Sequence, residues 1–544
     1  MSATPRRSAS FSQLSNKHGA KLGILCILLT RCMGGEMATT ILRTSDGKLD
    51  SQDLESLANL EKRLEHGSRK LLLYLHGGLV DQKSAEEMAT RLSAAGGLNP
   101  PDDWEQVYVI WRTGVAETLR ANWLDLFEND RLYRALFKKL MPYISEKLGG
   151  LTPVGRGGAI VNPMTDDEVE AALQSRSDHP FADLEEKPSV PGIASSRAAA
   201  LGNVSDDDVE MELGKRIELD PDLQKVCANI DTYIARKTLD VSRGNHVADA
   251  VQGEKTFSKV NTEIQSEWED RDQVTGRPRA LLIGGSLISV AKHGVRIAIR
   301  VISRMRKGRD HGVHATIAEE MVREFYGDLI GSIVWGMMVK DARDHFNPGS
   351  VGPRLISALS GVKDLQLLVV GHSAGSIWAT EFLSARNAPG VPPADLVLLA
   401  PAIRIKRFAD FLSSAPDAIR NFRMFIMSDK LERADVLLGK GYGFLYPSSL
   451  LYLVSGLFES EGEDGAFDAA LLGMDRFVGQ EPPKLSDQKE IAALEKVRAF
   501  LNAEPNRVIL SESNAGAGLN CLSHAHGAFD DDPKTLASVA TYLG

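Results

Sequence analysis

With 544 residues, 43% of them hydrophobic and 25% charged, the chain has the composition of a globular protein with room for more than one core, which excludes a disordered or fibrous chain. Sixty-three basic against seventy-three acidic residues give a formal net charge of −10, so there is no general attraction to phosphate backbones and nucleic acid is not an expected partner. Four cysteines, Cys26, Cys32, Cys227 and Cys521, show no zinc-ligand spacing and are too few for a disulfide framework, which fits a reducing, cytoplasmic compartment.

In chain order, Arg6-Arg7 and the mostly apolar run Leu22 to Thr30 loosely resemble an export signal. The run is too short to span a bilayer, and Thr30-Arg31-Cys32-Met33 lacks a small-residue cleavage site. Residues 1–36 are expected to be a flexible segment or to precede a true start at Met37, with export the lesser alternative. Four apolar runs, Leu71 to Leu75, Val107 to Trp111, Leu365 to Val370 and Leu396 to Leu399, read as buried parallel strands, and Met424 to Met427 and Val508 to Leu510 as weaker ones. Helical patterns such as Ser84 to Ala95 and Ser376 to Ala385 separate most of them, the alternation of an α/β fold with a mostly parallel central sheet and helices on both faces.

About 250 residues between Trp111 and Leu365 exceed any single crossover, so a large inserted cap or lid is expected. Leu151 to Asp220, rich in Gly, Pro, Ser and acids, reads as a flexible excursion with short helices. The expected division is core over 37–115, inserted cap over 116–325, core with the nucleophile over 326–435, a second insertion or lid over 436–500, and a last core piece over 501–544. Within the second insertion, Pro447 to Val454 is an apolar helix candidate.

A serine hydroxyl becomes nucleophilic only when a base takes its proton, and it must stand clear of the sheet to reach a carbonyl carbon. Leu368-Val369-Val370 runs into Gly371-His372-Ser373-Ala374-Gly375 and then into the helical Ser376-Ile377-Trp378-Ala379, so Ser373 lies on a strand, sharp turn and helix. Upstream, His76-Gly77-Gly78-Leu79 ends an earlier strand, and glycines there let backbone N–H groups approach a substrate oxygen. The expected oxyanion donors are the N–H of Ala374 with that of Gly78 or Leu79. The base should follow the last strand, where Ser523-His524-Ala525-His526-Gly527 offers His526, favoured by the glycine and aromatic after it, with His524 as the alternative. His372, beside the nucleophile in sequence, is expected to point elsewhere and to pack structurally. For the carboxylate that orients the base, Asp429 closes the Met424 to Met427 strand, while Glu432 and Asp435 remain alternatives and Asp429 is also a natural helix cap.

These residues, in the order oxyanion loop, serine, acid and histidine, resemble the α/β-hydrolase superfamily of serine esterases and lipases, over less than half of the chain. The resemblance implies the α/β-hydrolase fold with Ser373 as nucleophile, His526 as base, Asp429 as acid and the His76-Gly77-Gly78 loop as oxyanion hole. It implies hydrolysis of a small-molecule ester or lipid through an acyl-enzyme, with no cofactor and no metal. An interface-active lipase is one alternative, suggested by Leu450 to Val454 and by the basic run Val290 to Lys307, which would allow membrane-surface contact. A catalytically silent binding or scaffold protein is the other. Metal, redox and nucleotide motifs are absent, and His293, His311, His314 and His345 are expected to be polar surface residues. Nothing in the sequence sets the oligomeric state.

Overall fold

A computed structural model describes residues 39–78, 80–111, 116–149, 164–185, 201, 204–238, 248–274, 285–327, 332–386, 390–459, 468–480, 482, 483, 485 and 487–544. The expected export-like run and Leu79 lie outside the described residues.

The apolar runs form the sheet because residues buried on both faces leave only the ladder to satisfy their backbone groups. The strands are β1 (Thr39–Ser45), β2 (Lys48–Leu49), β3 (Lys70–Leu75), β4 (Glu105–Trp111), β5 (Gln366–His372), β6 (Ala394–Leu399), β7 (Ile419–Ile426) and β8 (Val508–Leu510). They run in the order β2-β1-β4-β3-β5-β6-β7-β8, all parallel except β2, which turns back on β1. The architecture is thus α/β with a mostly parallel eight-stranded sheet flanked by helices. Leu71, Leu73, Val369 and Leu396 fill one face with Trp378 and Phe382, and Leu72, Tyr74, Leu368 and Val397 fill the other with Leu92 and Phe529.

Successive strands build outward from β3 in one direction to β4 and in the other from β5 to β8. The order reverses between β3 and β5, and in open parallel sheets a crevice opens at such a reversal, beyond the carboxyl ends of the strands. Leu75 pairs with Gly371 at that place, so the His76 loop and Ser373 emerge side by side.

Between β4 and β5 the described chain is helical. Arg131–Gly149, Asp206–Glu218, Pro221–Thr238, Gly285–Arg306 and Val313–Phe325 pack round a second apolar core that includes Phe137, Ile144, Leu213, Ile217, Ile297 and Ile317. The described part of the Leu151 to Asp220 stretch carries helices, as expected, among them Asp166–Gln174. Asp206–Glu218 is a helix whose Ser205 accepts the Asp208 N–H while Asp208 accepts that of Ser205, so the acidic run caps it and favours its positive end.

Three expectations change. The basic run Val290 to Lys307 lies, up to its last residue, in the helix Gly285–Arg306: Arg300 and Arg304 turn inward to Glu320 and Glu319, while Arg296 pairs with Glu324 from an exposed position. Leu450 to Val454 is wholly inside: Leu450–Leu453 is a single helical turn capped by Ser449, continued by a π turn, Val454–Phe458. The four histidines expected at the surface are buried, because each found partners far away in sequence. His293 meets Glu324 and Glu267, His311 lies between Glu319 and Asp468, His345 is 2.7 Å from the Thr44 hydroxyl, and His314 stacks edge-on to Phe137 and Phe181.

Candidate active site

β5 ends by turning sharply into the helix Gly375–Ala385, and Ser373 takes φ +49°, a left-handed conformation that a side-chain-bearing residue adopts only where its surroundings enforce it. The enforcement is visible. The Ser373 N–H donates to the Leu399 carbonyl at 2.8 Å, and its own carbonyl accepts from the N–H groups of Ser376 and Ala402. The flanking glycines are required by space: a Cβ on Gly375 would meet the His76 carbonyl oxygen at 2.8 Å, and one on Gly371 the Gly375 carbonyl oxygen at 2.9 Å.

His526 begins a short 3-10 turn, His526–Ala528, before the last helix, Pro533–Ala540. Its Nε2 lies 2.8 Å from Ser373 Oγ, and both side chains are buried. Burial is the main cause that pushes the His526 imidazole down to about 3, with the adjacent His372 adding to the shift and Asp530 opposing it. The ring is therefore neutral at ordinary pH, the state a base needs before it takes a proton. His524, by contrast, is 60% exposed in its side chain and stands 3.9 Å from Glu512.

The three carboxylates after β7 separate clearly. Asp429, first residue of the helix Asp429–Ala434, accepts from Arg433 Nε at 2.9 Å and from the Tyr452 hydroxyl, with Arg476 Nε 3.5 Å away. Glu432 is completely buried, and burial lifts its carboxyl well above the usual carboxylate range, which favours its neutral form. Asp435, just past that helix, accepts the main-chain N–H of His526 at 2.8 Å through Oδ2. Burial raises its pKa, against the pull of the His526 and Val436 N–H groups. The His526 Nδ1, which would face an orienting acid, is buried and has no hydrogen-bond partner among the described residues.

The His76 loop lies against the serine. A Cβ on Gly77 would come 3.2 Å from Ser373 Cβ, and one on Gly78 3.4 Å from Ala374 Cβ. Ala374 stands at the start of the Gly375–Ala385 helix, where backbone N–H groups have no partner within the helix. His76 braces the loop: its Nδ1 donates to the Gly77 carbonyl at 2.7 Å and its Nε2 accepts the Trp111 N–H at 3.2 Å. Burial first of all brings its pKa down to about 4, so it keeps this neutral tautomer.

His372 is buried, as expected of a structural residue, and it meets Asp530, for which the sequence reading had no role at the site. His372 Nε2 donates to the His526 carbonyl at 3.0 Å, and its Nδ1 is 3.6 Å from Asp530 Oδ2. No group of acidic, histidine or cysteine side chains that would hold a metal ion occurs among the described residues. Neither is any helix there long and apolar enough to cross a membrane. Compared with protein-family models, with curated proteins and with solved structures, the chain matches none.

Proposed function

We propose that the protein is a serine hydrolase of the α/β-hydrolase type that cleaves a carboxylic ester or related acyl bond through an acyl-enzyme. The observation that carries this reading is the 2.8 Å approach of His526 Nε2 to Ser373 Oγ on a strained strand-to-helix turn. His526 Nε2 takes the Ser373 proton as Oγ forms a bond to the carbonyl carbon, and the N–H groups of Ala374 and Gly78 receive the oxygen that becomes negative. His526 then gives the proton to the leaving oxygen, the C–O bond breaks, and water repeats the sequence on the acyl-serine.

Among the acids, Asp435 is assigned to orient His526, because it already binds that residue's main chain, whereas Asp429 is engaged by two arginines and a tyrosine. A turn of the Asp435 carboxylate toward Nδ1 completes a Ser373, His526, Asp435 triad in the chain order serine, acid, histidine. The helices between β4 and β5 serve as the cap over the crevice, and the substrate is a small ester or a lipid. A panel of short- to long-chain acyl esters tests the reading. Turnover by the wild type that falls by roughly 10⁴-fold or more in Ser373→Ala is expected. Equal turnover by the two chains contradicts it.

A further inference from the structure

His372 precedes the nucleophile, yet its side chain serves the base. It is 94% buried, its ring centroid is 5.9 Å from that of His526, and it faces acceptors at both nitrogens. Nε2 points at the His526 carbonyl oxygen, which cannot donate, and Nδ1 at the Asp530 carboxylate. A carbonyl hydrogen-bonded at Nε2 and a carboxylate at an ion-pair distance of 3.6 Å from Nδ1 both favour a proton on the nitrogen they face, which together make an imidazolium.

We propose that His372 is a positioning residue: clamped by Asp530, it holds the main-chain carbonyl of His526 and presents a fixed positive charge to the His526 ring. The inference rests on the hydrolase reading of Ser373 and His526. Other charged or titratable groups facing the pair are few. Tyr74 on β3 is 3.4 Å from Asp530 through its hydroxyl, Arg91 from the helix Gln82–Ser93 donates to the Asp530 carbonyl and pairs with Asp531, His76 lies across from His372, and Asp435 holds the far side of His526. The directions agree with the clamp: burial disfavours the charged ring, but Asp530 outweighs it and His372 titrates above the ordinary histidine value, while Asp530, despite its own burial, is lowered by His372. The function of the charge follows from its sign. A cation beside His526 disfavours a second one, so His526 stays an unprotonated base at acid pH. The function of the hydrogen bond is to fix the loop from which Nε2 reaches Ser373.

Two measurements test this. In the wild type, with ¹⁵N-labelled histidine, the His372 ring should show two protonated nitrogens at pH 7, its signal identified by its loss in His372→Gln; a neutral tautomer overturns the proposal. The rate of fluorophosphonate labelling of Ser373 against pH is the second. His372→Gln keeps a donor and loses the charge, so its acid limb should move up by about one pH unit with the plateau retained to within about tenfold. His372→Phe loses both, and its plateau should fall further. A wild type that does not label at any pH contradicts the hydrolase reading, whereas a labelled chain whose His372→Gln limb coincides with the wild type contradicts the role of His372 alone.

Discussion

Asp435 Oδ2 accepts the main-chain N–H of His526 at 2.8 Å, although the two residues are 91 apart in sequence. Asp435→Asn keeps the size and removes the charge that would steady a protonated His526. Turnover should fall by about 10²- to 10⁴-fold while the melting temperature changes little. Asp429→Asn should act the opposite way, lowering stability through the loss of Arg433 and Arg476 contacts and leaving turnover within a few-fold. Ester kinetics on both purified variants check this, and a larger loss in Asp429→Asn would reverse the assignment.

Glycine substitutions at the elbow should divide by what the new methyl meets. On Gly375 it meets the backbone carbonyl oxygens of Leu75, the last residue of β3, and of His76 just after it, and backbone there cannot yield. On Gly78 it meets the Met338 Cε at 2.6 Å, the free end of a flexible side chain. Gly375→Ala should therefore cost about 3 kcal/mol or more of stability and Gly78→Ala about 1 kcal/mol or less, as read from denaturant midpoints.

Stability should fall as pH drops from about 6.5 toward 3. His526 and His314 are pushed down to about 3 and His76 to about 4, in each case chiefly by burial, from an unfolded value of 6.5. Between those values the unfolded chain binds protons that the folded chain does not, so the stability present above pH 6.5 drains away on acidification. Each such histidine contributes a slope of about 1.4 kcal/mol per pH unit in that window. His314→Phe, which keeps an aromatic ring against Phe137 and Phe181, should flatten the curve by one such increment in urea titrations at stepped pH.

Arg304 has no exposed surface and lies 2.7 Å from Glu319 and 2.9 Å from Glu320, both equally buried. Arg304→Met fills similar volume but takes a positive charge from between two buried carboxylates, leaving Glu319 with His311 and Tyr446 and Glu320 with Arg300 and Arg323. The loss should be about 3–5 kcal/mol, far above that for removing an exposed pair such as Lys83 and Glu87. Melting of the two variants side by side distinguishes them.

The strands that carry the site were legible because Leu71 to Leu75 and Leu367 to Val370 are unbroken apolar runs followed closely by glycines. β1 was not. Thr39–Ser45 buries Thr40, Leu42 and Thr44 on alternate positions, and threonine gives an apolar period little contrast. Ser373 and the Gly77-Gly78 loop could be located from local turn chemistry, since strand, glycine and helix lie within a few residues of each other. The acids could not be ranked, because what separates Asp429 from Asp435 includes Tyr452, Arg476 and His526, all distant in the chain. The same distance concealed the buried histidines: His311 is held by Asp468 across 157 residues, and no local pattern encodes that pairing.

Fluorophosphonate labelling followed by mass spectrometry of the digested protein tests the central claim most directly. A single adduct on the peptide carrying Ser373, absent from Ser373→Ala and reduced by orders of magnitude in His526→Ala, is the predicted result. A folded wild type that takes up no label at Ser373, or labels equally well without His526, would contradict it.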